Sequence, residues 1–142
     1  MENKKNTKKV EFQYINTENA REKIPILRLK IVTPYKRHPD EWLEAFLDTG
    51  YDGGLLIPPE LYKEAELHKI ELPIDQWDIG ETVTGEMTLL QASLAKIEIE
   101  GFDKLIELRI ETFKGNQEVI LGLNGIRTLL LCLNGPKKCV EI

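Results

Sequence analysis

One stretch of the sequence, Leu47-Asp48-Thr49-Gly50-Tyr51-Asp52-Gly53-Gly54-Leu55-Leu56-Ile57-Pro58, sets a carboxylate, a hydroxyl and closely spaced glycines between two apolar runs. The pattern predicts a strand that delivers Asp48 to a tight turn, glycines that let the chain fold back, and a second apolar segment that re-enters the core. A carboxylate held beside buried strands is either satisfied by its own turn or employed chemically. The chemistry open to it is specific. Two carboxylates within hydrogen-bonding distance cannot both ionise, so the pair shares a proton and serves as acid and base at once. Asp-Thr-Gly occurs once here, and Asp52, Asp75, Asp78 and Asp103 do not repeat its context. A single-copy chain builds such a pair only by dimerising about a two-fold axis through the site, each subunit contributing Asp48.

The elements that must hold this loop follow from periodicity. Residues 10–15 alternate apolar and polar types as a half-buried strand does, residues 16–19 form a turn, and residues 24–33 read as a longer strand with a bulge near Pro25. Residues 34–41 form a polar, proline-bounded loop, and residues 42–47 the strand that feeds Asp48. Pro58-Pro59 opens a short helix with Leu61, Ala65 and Leu67 on one face. Between Asp75 and Met87, Gly80 and Gly85 bracket a Thr/Val-rich segment, the pattern of a projecting hairpin. Residues 94–99 and 105–110 pair across Gly101 as a hairpin or meander. Val119-Ile120-Leu121-Gly122 reads as a short buried strand, Asn124 as the cap of a brief helix, and residues 131–133 as a return to the sheet. Asn134-Gly135 is a tight turn before a closing strand at residues 139–142. Eight or nine strands with two short helices predict a mostly β, barrel-like domain.

With 142 residues, 42% of them hydrophobic, the chain suits one domain: a basic, flexible segment over residues 1–9 and a single domain over 10–142, with residues 10–33 as extra N-terminal strands. The net charge is −5 although four of the first nine residues are lysine, so the body of the chain is acidic. That balance argues against a nucleic-acid surface, which draws on clustered Lys and Arg. No apolar run approaches a membrane span, and the first residues lack the apolar segment of a secretory signal, so the expected location is the cytoplasm and no membrane partner is expected. Cys132 and Cys139 lack metal-site spacing and read as reduced, partly buried thiols. His38 and His68 read as surface residues, and Trp42 and Trp77 as packing residues. No metal or organic cofactor is implied.

In this order, Leu47-Asp48-Thr49-Gly50, the return run to Pro58, the glycine-bounded segment from Gly80 to Gly85, and Ile120-Leu121-Gly122 resemble the retropepsin-like (clan AA) aspartic proteases. Tyr51 directly after Asp-Thr-Gly, followed by Leu56-Ile57-Pro58-Pro59, resembles a small prokaryotic branch with an Asp-Thr-Gly-aromatic motif. The match covers about residue 42 to the end. It implies a closed β barrel of the acid-protease fold with one or two short helices, active as a homodimer. The Asp48 pair would activate water against a peptide bond in a peptide or protein substrate. Thr49 would brace the two catalytic loops, and Gly50 would offer its backbone to the peptide. Asp52 would hold the substrate main chain, with Tyr51 beside it. Ile120 and Gly122 would pack beside the catalytic loop, and the Gly80 to Gly85 hairpin would close over substrate. Two departures stand out: Tyr51 replaces a small residue, so a narrower cleft or a reshaped dimer axis is expected, and Leu123 replaces an arginine that pairs with the equivalent of Asp52.

A rival of another class is a retropepsin-fold dimer that binds peptides or partner proteins without cutting them, its cleft blocked by Tyr51. The phosphate loop of actin-like ATPases also carries Asp-x-Gly, but it needs two large domains around a nucleotide, and this chain has room for one.

Overall fold

The computed structural model describes residues 10–16, 23–82 and 84–142. The basic segment 1–9 and most of the turn expected at 16–19 lie outside the described residues.

β1 (Glu11–Gln13) is followed by β2 (Ile26–Val32), on which Ile26, Leu27, Leu29 and Ile31 are all buried. β3 (Arg37–Leu47) runs antiparallel to β2 and is longer than the sequence suggests, its first five residues falling in the expected polar loop. The reversal is short because Thr33 closes it. Its hydroxyl accepts from the Tyr35 and Lys36 amides at 3.2 and 3.1 Å, and its own amide donates to the Lys36 carbonyl at 2.9 Å. The register irregularity falls between Leu29 and Ile31, opposite Leu43 and His38, rather than near Pro25. Pro39 lies in that interval, and a bulge accommodates its missing N–H.

β4 (Leu55–Leu56) leads to α1 (Pro59–Glu64), and two 3₁₀ turns, Leu67–Ile70 and Ile74–Gln76, carry the chain to β5 (Asp78–Glu81). β6 (Met87–Ile99) pairs with β5 through its first residues, then with β7 (Leu105–Thr112), and at its end with β2. β8 (Ile120–Leu121), α2 (Leu123–Leu129), β9 (Cys132–Asn134) and β10 (Cys139–Glu141) complete the chain. The ten described strands form a seven-stranded sheet, β2-β3-β8-β4-β7-β6-β5, in which β2 also pairs with β6, and a three-stranded sheet, β1-β10-β9. The return expected at residues 131–133 therefore enters the small sheet, where Val140 is fully buried. The fold is mostly β.

α1 buries Tyr62, with Ala65 and Leu67 buried just beyond its end and Leu61 only partly covered. Tyr62 belongs inside because its hydroxyl is satisfied there, 2.5 Å from Ser93 Oγ and 3.2 Å from Glu71 Oε2, while Ser93 donates to the Leu67 carbonyl at 2.8 Å. Tyr62→Phe is expected to lower stability by about 1–2 kcal/mol in urea unfolding.

Candidate active site

Asp48 sits where three short strands meet. β8 lies between β3, which it parallels with Leu47 opposite Leu121, and β4, which it opposes with Leu55 opposite Leu121. Both arms of the loop 48–54 are thus pinned to one two-residue strand. The Asp48 amide continues the ladder by donating to the Leu121 carbonyl at 3.0 Å. Beyond it the chain turns on its own side chain: the Gly50 amide donates to Asp48 Oδ1 at 2.8 Å, and the Tyr51 amide to the Asp48 carbonyl at 3.3 Å. A Cβ on Gly50 would stand 3.1 Å from that same Oδ1, so the absence of a side chain leaves the carboxylate room. Asp48, Thr49 and Gly50 are all exposed on this chain.

The far half of the loop is held by α2. The amides of Gly122, Leu123 and Asn124 donate to the carbonyls of Gly54, Tyr51 and Asp52 at 2.8, 2.7 and 3.2 Å, and that of Gly125 to Gly53 at 3.4 Å. A helix start ordinarily leaves such amides unpaired, and here a neighbouring loop takes them. This corrects the expectation that Asn124 caps the helix. The cap position is Gly122, without a side-chain cap bond, because backbone carbonyls have already satisfied the donors. Close contact demands glycine at Gly122, whose Cβ would lie 2.5 Å from Tyr51 Cδ2 and 2.6 Å from the Tyr51 carbonyl oxygen.

Beside the loop, on the same side as Asp48 and Asp52, is a polar cluster that sequence reasoning misses. The Tyr51 hydroxyl donates to Glu111 Oε1 in a short hydrogen bond, and Arg109 Nε donates to Glu111 Oε2 at 3.2 Å. Glu111 is 1% exposed, so its charge rests on these two donors. Arg109 also reaches the Gln76 carbonyl through Nη2 at 2.5 Å and Asp78 Oδ2 through Nε at 3.5 Å. Burial, reinforced by the Glu111 carboxylate, pushes the Tyr51 hydroxyl far above its ordinary range, so it remains a donor. The available signal was the spacing Arg109-x-Glu111, which puts both side chains on one face of a strand.

Opposite the loop stands the β5–β6 hairpin, with Gly80 facing Thr88 and Ile79 facing Leu89 in register. Thr82 organises its tip: its amide donates to the Glu86 carbonyl at 2.8 Å and its hydroxyl accepts from the Glu86 amide at 3.2 Å. Gly85 adopts a φ of +85° there, a conformation that favours glycine. Between hairpin and loop lies a cleft of about 1190 Å³. It brings together Asp48, Gly50, Tyr51, Asp52, Gly80 and Ile120 of the residues singled out from the sequence. Thr49, Gly85 and Gly122 are not on its lining: Thr49 is exposed on the turn, Gly85 is at the hairpin tip, and Gly122 packs beneath Tyr51.

Other expectations fall outside the cleft. Cys132 is exposed and Cys139 buried, both as free thiols. His38 sits 3.2 Å from Glu64, Trp42 stacks under the Lys30 ammonium, and Trp77 donates to the Leu72 carbonyl at 2.9 Å. Among the described residues no three His, Cys, Asp or Glu side chains group as a metal site, and no helix is long and apolar enough to cross a membrane.

The chain is similar in structure to solved proteins. The retroviral protease-like domain of Ddi1 from Leishmania major superposes with a TM-score of 0.53 at 12% identity, covering 84% of this chain and 85% of that one. The simian foamy virus (mac) protease gives a TM-score of 0.46 at 16% identity, over 74% of this chain and 94% of that one. The EIAV protease complexed with the inhibitor HBY-793 gives 0.47 at 19% identity, over 81% and 94%. No family model matches the sequence. No curated protein matches it either. The fold is retropepsin-like.

Proposed function

We propose that the chain is an aspartic endopeptidase, active as a homodimer in which the two copies of Asp48 form a proton-sharing dyad that activates water against a peptide carbonyl. The observation that carries this reading is the exposed Asp48 carboxylate, fixed through one oxygen by the Gly50 amide and placed on the wall of a cleft that faces a hairpin. In this reading Thr49 braces the paired loops and Gly50 and Asp52 receive the peptide backbone. Gly80 and Gly85 belong to the closing hairpin, and Ile120 and Gly122 support the loop beside Tyr51. The single domain spans residues 10–142, and the β2–β6 pairing supports reading the large sheet as a closed barrel.

The second copy must find a surface. β10 is flanked on both sides by strands of its own chain, whereas β9 is an edge among the described strands. Leu133 on β9 is 44% exposed and Leu130 just before it 84%, which suits strand addition by a partner. In the non-cutting rival Tyr51 narrows the cleft from its lining, where its hydroxyl is held by Glu111.

The test is cleavage of a mixed peptide library, read by mass spectrometry alongside sedimentation of the same sample. Cuts should appear only at concentrations where dimer is present, and Leu133→Lys should shift both curves upward together by about tenfold or more. A protein that stays monomeric at high micromolar concentration, with no association on adding peptide, overturns the shared dyad.

A further inference from the structure

We propose that Tyr51, Glu111 and Arg109 are positioning residues that lock the base of the β5–β6 hairpin to the Asp48 loop, so that cleft wall and hairpin move as one body. The activity arm of this proposal rests on the protease reading; the mechanical arm does not.

The connection is continuous. The Tyr51 amide is bonded to the Asp48 carbonyl, and the Tyr51 carbonyl accepts from the Leu123 amide, so the backbone of Tyr51 is part of the turn that presents Asp48. Its hydroxyl ends on Glu111, whose other oxygen takes Arg109, and Arg109 ends on the Gln76 carbonyl and on Asp78, the first residue of β5. The backbone of β7, which carries Arg109, lies against the loop: a Cβ on Gly54 would stand 2.5 Å from the Arg109 carbonyl oxygen. Leu55 and Leu56 then pair with Ile110 and Glu111. β7 is thus the shared frame, touching the loop through its backbone and the hairpin through Arg109.

A buried ion pair stabilises a fold little compared with apolar filling of the same space. Its effect is geometric, since a planar guanidinium and a carboxylate with both oxygens engaged admit few alternative arrangements. Glu111 is the hub because losing either donor leaves a buried charge half-satisfied, which loosens the remaining link as well. The coupling is therefore reciprocal: a change at Tyr51 reaches Asp78, and a change at Arg109 reaches the loop.

Hydrogen–deuterium exchange on the full chain tests the lock without relying on turnover. Tyr51→Phe removes one hydroxyl and touches nothing in the hairpin, yet amides of Asp78–Glu81 should exchange about fivefold or more faster. Arg109→Gln should in turn speed exchange at Leu123 and Asn124, whose amides hold the loop. The double variant should exceed the larger single effect by less than about twofold, as expected for links in one chain. Effects confined to each variant's own side, or simply additive effects, would overturn the lock. In library cleavage, Tyr51→Phe should lower kcat by about tenfold with KM within about twofold, since misplacement affects the reacting geometry more than the fit of the peptide. A protein that cuts nothing but shows reciprocal exchange loses the protease reading and keeps the lock. A protein that cuts but shows local exchange loses the lock alone.

Discussion

Asp48→Asn is expected to lower peptide cleavage by about 10²–10⁴-fold, toward the upper end because one dyad supplies both the base that takes a proton from water and the acid that returns it. The same variant is expected to fold normally. Asp48 is exposed, and the structural duty of its side chain is to accept the Gly50 amide at 2.8 Å, which the oxygen of an asparagine performs equally well. Melting and cleavage measured in parallel separate the two duties: Tm should stay within about 2 °C of wild type while the cuts disappear. Unchanged cleavage would remove Asp48 from the mechanism. A collapse in Tm would show instead that the carboxylate serves the turn and not the chemistry.

Gly122→Ala is expected to give a large loss of stability, about 2–3 kcal/mol, seen as a fall of roughly 5–10 °C in Tm. The loss is steric. With φ at −87° and ψ at −177° the backbone of Gly122 is extended, which any residue adopts, so no conformational penalty arises. The added methyl would instead meet Tyr51 Cδ2 at 2.5 Å and the Tyr51 carbonyl oxygen at 2.6 Å. Neither yields readily, since the carbonyl is held by the Leu123 amide and the ring is anchored at its far end by Glu111. Gly135→Ala is the matched control, with nothing within 4 Å of its Cβ position, and should change stability by no more than about 0.5 kcal/mol. Equal stability of the two variants would mean that the loop and α2 part easily, contrary to the contacts between them.

Much of the strand order was legible because buried strands alternate. β2 and β7 stand close to where periodicity puts them, β6 reaches back to Met87 from the expected start at residue 94, and the turn at Asp48 with its apolar return is visible as a carboxylate between two runs of aliphatic residues. The failures share a cause, which is that a partner distant in sequence decided the outcome. Residues 37–41 look like loop because they are polar or ladder-breaking, yet Thr33 reverses the chain early and β2 pairs with Arg37 and His38, while Pro39, Asp40 and Glu41 fall in the register irregularity that follows. Tyr62 rather than Leu61 is the buried residue of α1, because Ser93 and Glu71, distant in sequence, satisfy its hydroxyl inside. Asn124 is a good capping residue whose task had been taken by carbonyls some seventy residues earlier. Glu111 and Arg109 carried no periodicity signal of burial, because a loop and a hairpin base cover the outer face of their strand.

The small sheet has a consequence for how the molecule is made. β10 pairs with β1 on one side and β9 on the other, Phe12 opposite Val140, so the two ends of the described chain meet in one layer. Closing so long a loop loses chain entropy before any contact offsets it, and pairing of this kind is slow. The β9–β10 turn can form early, but Phe12 and Val140, both buried in the native state, find cover only when the ends arrive. A circular permutant that joins residue 142 to residue 10 through a short linker converts this remote pairing into a local hairpin, and should fold faster than the natural order.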